Sequence, residues 1–177
     1  MSLAYNAMVF ARHAHRDQKR RYTGTPYADH LAEVAGIVAT VAPAFGRDPE
    51  LMVAVAWLHD YIEDVNPQDG GCWGHYDLEQ TFGDVVADGV MKLSDLETGN
   101  RSERKELSRV RLAAAPGWIQ TIKCADLISN TSSIVQHDPK FAVTYLAEKR
   151  ALLEVMTRAD PRLREIAWDI AKKCRRL

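Results

Sequence analysis

Apolar positions recur at helical spacing along nearly the whole 177-residue chain. Residues 3–17 form a first amphipathic helix, followed by a basic segment, Lys19-Arg20-Arg21, and a turn at Thr23-Gly24-Thr25-Pro26. From His30 to about Phe45, Leu31, Val34, Ile37, Val38 and Val41 mark one face of a second helix, which Gly46 ends. Asp48-Pro49 starts the next, with Asp as N-cap and Pro at the first helical position, where its missing N–H costs nothing. The same pair recurs at Asp138-Pro139 and Asp160-Pro161, each time before a long helical pattern. Between Asn66 and Tyr76, Gly70, Gly71 and Gly74 predict the longest loop, a candidate lid or binding loop. Asp77 to Leu93 reads as two short helices with a turn at Gly83. Thr98-Gly99-Asn100 breaks the pattern, Ser102 caps a charged helix through Ala114, and Pro116 opens a long helix from Gly117 to Gln136. No strand signal, repeat or linker stands out. The pattern predicts a compact all-α bundle, a single domain over residues 1–177 with a C-terminal helix at 160–177.

One stretch breaks the division between apolar inside and polar outside. Val53 to Asp64 runs from Val53, Val55, Ala56, Trp57 and Leu58 straight into His59, Asp60, Glu63 and Asp64. On a continuous helix His59 lies over Glu63 and Asp60 over Asp64, which crowds one imidazole and three carboxylates together. Their mutual repulsion is most simply offset by a divalent cation. The bland alternative is a helix end whose acids face water. Asp126 argues against it: a carboxylate inside Ile122-Lys123-Cys124-Ala125-Asp126-Leu127-Ile128 is unfavourable by propensity and by burial, and needs a cation or strong donor. His30 follows the 23–26 turn, as suits a ligand held near a helix start. His30, His59, Asp60 and Asp126 make a mixed nitrogen and oxygen set suited to manganese, iron, cobalt or zinc, with positions left for water. His13, His15, His75 and His137 read as exposed or structural, with His15 placed to line a pocket.

Composition narrows the class. Hydrophobic residues make up 46% and charged residues 27%, as in soluble globular proteins, and the net charge of −1 argues against wholesale nucleic-acid binding. Three widely spaced cysteines, Cys72, Cys124 and Cys174, form neither a disulfide framework nor a zinc ribbon, so a cytoplasmic setting is expected. No long apolar span predicts a membrane segment. A homo-oligomer is compatible with the sequence.

The order of parts, a His, then His-Asp on one helix, then a distant Asp, resembles the HD-domain metal-dependent phosphohydrolases. HRDQKRRYTGTPYADH (15–30), LHDYIED (58–64), TFGDVVADGVMKLSD (81–95) and IKCADLISNTSSI (122–134) resemble, in order, blocks of the hydrolase domain of RelA/SpoT-type enzymes. They cover most of residues 8–150. The resemblance implies hydrolysis of the 3′-pyrophosphate of (p)ppGpp to GDP or GTP plus pyrophosphate, usually with manganese. It also implies that Arg20 stacks on the base, that Arg21 helps bind the nucleotide, and that Asn130 faces it. With the chain ending at Leu177, a stand-alone small alarmone hydrolase is expected rather than a fusion with a synthetase. Leu31, Val65 and Leu127 depart from the usual Pro, Thr and basic residue, which bears on substrate identity more than on chemistry.

The residues then assume roles. Glu63 and Asp64, one turn past His59 and Asp60, are the candidate catalytic pair, orienting the attacking water or taking its proton. Tyr27 and Tyr145 are candidate pocket walls. A run such as Lys19–Arg21 is more often a solvated helix end. Two other classes compete. One is an HD phosphohydrolase for (p)ppApp, NADPH or nucleoside 5′-monophosphates. The other is a non-catalytic helical module, which gives no reason for Glu63, Asp64 and Asp126 together.

Overall fold

The computed structural model describes residues 1–46, 48–65 and 68–173, without the side chains of Gln68, Asp69 and Lys173. Arg47, Asn66, Pro67 and residues 174–177, Cys174 among them, lie outside the described residues. Nine α-helices and no strand occur among the described residues. They are α1 (Leu3–Ala14), α2 (Tyr27–Ala39), α3 (Pro49–Leu58), α4 (Cys72–Phe82), α5 (Asp84–Leu93), α6 (Arg101–Ala114), α7 (Gly117–His137), α8 (Pro139–Val155) and α9 (Pro161–Lys173). The all-α bundle read from the pattern is the observed fold. No helix among the described residues is long and apolar enough to cross a membrane.

The Asp-Pro starts behave as their chemistry requires. Asp48 accepts from the Glu50 N–H at 3.0 Å, Asp138 from Phe141 at 3.1 Å, and Asp160 from Arg162 and Leu163 at 3.0 and 3.1 Å. Several boundaries differ from the expected ones. α1 stops at Ala14, with His15 as its C-cap, instead of running to 17. α2 begins at Tyr27, because Pro26 supplies a rigid entry, so His30 lies a turn inside the helix; a separate 3₁₀ turn at Ala42–Phe45 carries Pro43. The expected 66–76 loop is largely helical: a 3₁₀ turn over Gln68–Gly71 passes directly into α4. Gly71, at φ +83°, makes that junction against Ile62 and Leu96, where a Cβ would stand 2.5 and 2.6 Å from their side chains. Asn100, not Ser102, caps α6, through a capping box with Glu103.

α3 and α7 form the interior. α3 buries Met52, Ala54, Val55, Ala56, Trp57 and Leu58 on all its faces, so it must be surrounded, and α1, α2, α5 and α7 pack around it. The fully buried Ala7 and Ala11 let α1 lie close, and Glu50 of α3 accepts from the Ala4 N–H at 2.9 Å. The start of α7 is pinned to the α8–α9 connection: Gln120 accepts from the Arg158 N–H and Thr121 from that of Asp160, both at 2.8 Å.

That approach requires Gly117, where a Cβ would overlap the backbone carbonyl of Arg158. Alanine's better helix propensity, about 1 kcal/mol, favours Gly117→Ala, whereas overpacking against backbone costs about 1–3 kcal/mol. The clash should prevail, with Tm falling by several degrees in a thermal melt. A variant as stable as the parent would contradict this packing.

Candidate metal centre and active site

Four side chains from three helical elements converge where α2, α3 and α7 meet. His30 comes from the first turns of α2, His59 and Asp60 from the end of α3, and Asp126 from the middle of α7. All four are buried or nearly so. Ligand atoms of His30, His59 and Asp60 lie within 4.8 Å of one another. Asp60 Oδ2 is 3.0 Å from His59 Nε2 and 3.5 Å from His30 Nε2; Asp126 Oδ1 is 3.5 Å from His30 Nε2 and 3.9 Å from His59 Nε2.

The far nitrogens decide what the near ones do. His59 Nδ1 lies 2.8 Å from the Ala56 carbonyl, which only accepts, so Nδ1 carries the proton. Ser129 donates its hydroxyl proton to Glu33 at 2.6 Å, so its oxygen, 2.8 Å from His30 Nδ1, accepts from that ring. In the neutral rings both Nε2 lone pairs therefore point at carboxylate oxygens, acceptor against acceptor, and neither buried Nε2 has a hydrogen-bond partner. A cation resolves the conflict. Burial lowers the His59 pKa, but the Asp60 and Asp126 charges outweigh it and raise it to about 9, so a proton substitutes where no ion sits. The donor set fits a divalent metal, and these residues could hold one.

Surrounding residues orient the acids. The Tyr27 hydroxyl donates to Asp60 Oδ2 at 2.6 Å, and its ring stands edge-on to His30 and stacks on His15. Burial and the Asp60 charge push that phenol's pKa far up. Tyr27 thus braces Asp60. Lys123, overlooked in the sequence pattern, buries its ammonium 2.9 Å from Asp126 Oδ2, while Asn130 donates to Asp126 Oδ1 at 2.6 Å. Against burial, which favours the neutral acid, Lys123 and His59 hold the Asp126 pKa below its usual value.

The catalytic candidates diverge. After Leu58 α3 ends and residues 61–65 form a π-helical turn, with the Asp64 N–H still bonded to the Asp60 carbonyl at 2.9 Å. Glu63 accepts from the Asp95 N–H at 2.8 Å, while Asp64 accepts from Gln18 Nε2 at 2.7 Å. Gln18 in turn lies 2.6 Å from His15 Nδ1. Burial raises the Glu63 pKa to about 7, with Lys123 opposing and Asp60 adding; burial and Asp60 raise Asp64 as well.

On the opposite flank Arg20 donates to Asn130 Oδ1 at 3.0 Å and to Ser129 Oγ at 3.4 Å, and lies 3.9 Å from Glu33. A cavity of about 290 Å³ opens beside it, lined also by Thr23, Thr25, Ser133 and Gln136. The cavity lining does not include the other expected nucleotide residues. Arg21 is exposed, its guanidinium 5.5 Å from the Tyr22 ring centre. Tyr145 is 7% exposed and belongs to the core rather than to a pocket wall. Asn130 links Arg20 to Asp126. Gln18, Lys123 and Ser129 were missed because each is an ordinary residue type at an unremarkable spacing; only the lysine inside an apolar helix offered a signal.

The proton on His59 yields a measurable consequence. Its pKa lies near 9, so at pH 7 an incoming ion displaces a proton, and apparent affinity rises about tenfold per pH unit below that value. Titration calorimetry with a divalent ion in buffers of different ionisation enthalpy should show about one proton released per ion at pH 7. Release of none would contradict this account of the centre.

Comparison with known proteins agrees with the geometry. The family described as the HD domain matches residues 7–169. The guanosine-3′,5′-bis(diphosphate) 3′-pyrophosphohydrolase MESH1 of Drosophila melanogaster is 29% identical over 133 residues, 75% of this chain and 69% of that protein. The GTP pyrophosphokinase rsh of Brucella melitensis is 28% identical over 150 residues, 80% of this chain but only 18% of that protein's length. One solved structure is described as a metazoan orthologue of SpoT that hydrolyses ppGpp and plays a role in starvation responses. It matches with a TM-score of 0.82 at 23% identity, over 98% of this chain and 96% of that one, a likeness of fold. With two histidines and two aspartates gathered at one buried centre and the family match running from α1 into α9, the chain belongs to the HD-domain family.

Proposed function

We propose that this chain, acting over residues 1–177 as one HD-type hydrolase domain, hydrolyses the 3′-diphosphate of guanosine 3′,5′-bis(diphosphate) or its 5′-triphosphate analogue. Water attacks the proximal phosphorus of the 3′-diphosphate, and the bond from that phosphorus to the 3′-oxygen breaks. The hydroxyl stays on the pyrophosphate, and a proton reaches the 3′-oxygen of GDP or GTP. The observation that carries this reading is the direct connection between the two halves of the site. Arg20, at the edge of the cavity, is hydrogen-bonded to Asn130, which is hydrogen-bonded to Asp126. A nucleotide held at Arg20 is therefore held next to the metal centre. The pyrophosphohydrolase activity named for the fly relative supports the same substrate.

His30, His59, Asp60 and Asp126 would hold the ion, for which manganese suits the mixed nitrogen and oxygen set. When bound, it polarises a phosphate oxygen and lowers the pKa of a water. The protein's own groups do the rest. Glu63, a carboxyl shifted to about 7, accepts the water's proton, and Asp64, braced by Gln18, orients that water. Lys123 and Tyr27 keep Asp126 and Asp60 turned inward. Arg20 lays its flat guanidinium on the purine while its edge donors reach phosphate. Arg21 adds positive charge at the rim.

Pyrophosphate release should be seen with (p)ppGpp and manganese, in a screen that includes (p)ppApp, NADPH and nucleoside 5′-monophosphates; turnover confined to the monophosphates would refute the assignment. His59→Ala and Asp126→Ala should lose both metal and turnover. Glu63→Gln should keep the metal and lose about 10²–10⁴-fold in kcat. The base must be ionised, so kcat/KM should rise with pH through an acid limb at or below the value of about 7 set in the ion-free protein. Near-normal turnover in Glu63→Gln would remove that residue's role.

Arg20→Lys retains the charge and loses the plane. Stacking of this kind is worth about 0.5–2 kcal/mol, so KM should rise several-fold to about thirtyfold with metal content unchanged. Steady-state kinetics on paired guanosine and adenosine substrates is the measurement. An unchanged KM would reduce Arg20 to a surface charge, and a loss with one base alone would mean that it reads the base edge.

A further inference from the structure

Asp64 differs from the other acids around the centre in being exposed, so packing alone does not fix its carboxylate. Gln18, in the turn after α1, reaches it: its Nε2 donates to Asp64 Oδ2 at 2.7 Å. That bond sets the direction of the whole amide. An ionised carboxylate accepts only, so the NH2 end of Gln18 faces Asp64 and its Oε1 faces His15 Nδ1, 2.6 Å away. His15 Nδ1 must then carry the ring's proton and donate it. With the proton on Nε2 instead, the bare Nδ1 would draw the NH2 end toward itself and set the amide oxygen against the Asp64 carboxylate. The tautomer of His15 and the direction of Gln18 are therefore one choice.

His15 is placed to keep that choice. It is 1% exposed, ends α1 as its C-cap, and stacks on Tyr27 with ring centres 5.3 Å apart and planes 22° apart. The backbone ties the same residues together. The His15 N–H donates to the Ala11 carbonyl at 3.0 Å, that of Gln18 to His15 at 3.1 Å, and that of Tyr27 to Gln18 at 3.0 Å. One stacked pair thus supports Asp60 through its phenol, at 2.6 Å, and the exposed Asp64 through its imidazole and Gln18. The ring's other nitrogen, Nε2, is buried without a hydrogen-bond partner. An unpaired buried polar atom costs stability, and an apolar ring would stack on Tyr27 without it. We propose that His15 is a positioning residue: its Nδ1 proton orients the Gln18 amide, which holds the Asp64 carboxylate in the direction the attacking water needs. The inference rests on the function proposed above. His15 acts from behind Gln18, so its loss frees one exposed acid to other rotamers and should appear in kcat rather than in KM.

The test uses the full chain. With manganese bound, kinetics on (p)ppGpp, metal content and melting temperature are measured for the parent, His15→Phe, His15→Asn, Gln18→Met and the double variant His15→Phe/Gln18→Met. Phenylalanine keeps the ring and the stack and loses the Nδ1 proton. His15→Phe should lower kcat about 10–100-fold, a typical loss when a group supporting a functional side chain is removed, with KM and metal content unchanged. Its Tm should stay close to the parent's, because the unpaired Nε2 leaves with the ring. Asparagine can present an N–H where Nδ1 stands, so His15→Asn should recover part of the rate. In Gln18→Met the connection is already cut, and adding His15→Phe should cost little more. An unchanged kcat in His15→Phe, equal losses in both backgrounds, or a loss that comes with lost metal or a large fall in Tm overturns the proposal. The geometry is read apart from turnover, by NMR of the Gln18 side-chain amide in the zinc-loaded chain. One amide proton should be shifted and protected from exchange by Asp64 in the parent and released in His15→Phe. A Gln18 amide that responds to His15 in a chain without turnover keeps the brace and refutes the function. An amide that does not respond overturns the brace even where (p)ppGpp is hydrolysed.

Discussion

Two imidazole lone pairs facing two carboxylates in a buried space are the constraint on which the structure depends. Left to themselves these four groups repel, and each pays for desolvation. The fold tolerates them because neighbouring groups hold each of the four side chains in place. Ala56 and Ser129 take the outer protons of His59 and His30, Lys123 takes the outer oxygen of Asp126, and Tyr27 and Asn130 donate to the inward oxygens of Asp60 and Asp126. The two inward imidazole nitrogens are then left with a demand that a cation or a proton meets.

The same constraint explains the arrangement of helices. His59 and Asp60 need a helix end placed at the molecular centre, which α3 provides by being apolar on every side up to Leu58. Asp126 and Lys123 need a long helix passing through the core, and α7 buries both among Ile122, Cys124, Ala125 and Leu127. The π-helical turn at 61–65 redirects the two remaining acids, Glu63 toward Asp95 and Asp64 toward Gln18. This turns a run of acids that would crowd one helix face into two separately supported carboxylates.

Charge is passed outward in steps. Asp126 is balanced by Lys123, whose field also reaches Glu63 and Asp95. Asp95 is itself tied to Lys105, Ser108 and Arg111 on α6, and against burial the charges of Lys123, Lys105 and Arg111 hold its pKa far down. On the other flank Arg20 spans Ser129 and Asn130, consecutive residues that brace His30 and Asp126. Arg20 thus touches the supports of both His30 and Asp126.

The sequence by itself determined the helical class, the Asp-Pro helix starts and the candidate residues, because those follow from local chemistry. An aspartate flanked by isoleucine and leucine, or a histidine ending an apolar run, announces a cost that must be met wherever the chain goes. The pattern was silent on what meets it. Periodicity placed Glu63 over His59, but residues 61–65 take a π-helical turn in which the Glu63 carboxylate accepts from the Asp95 N–H. Tyr145, a candidate pocket wall, fills the core, and Tyr27 also braces Asp60. The pattern predicted a loop where Gly71 allows a direct entry into α4. Tautomers and the direction of a carboxylate's second oxygen arise from residues far apart in the chain and close in space. Only the tertiary structure decides them, because hydrogen bonding and Coulomb interaction depend on distances that sequence separation does not encode.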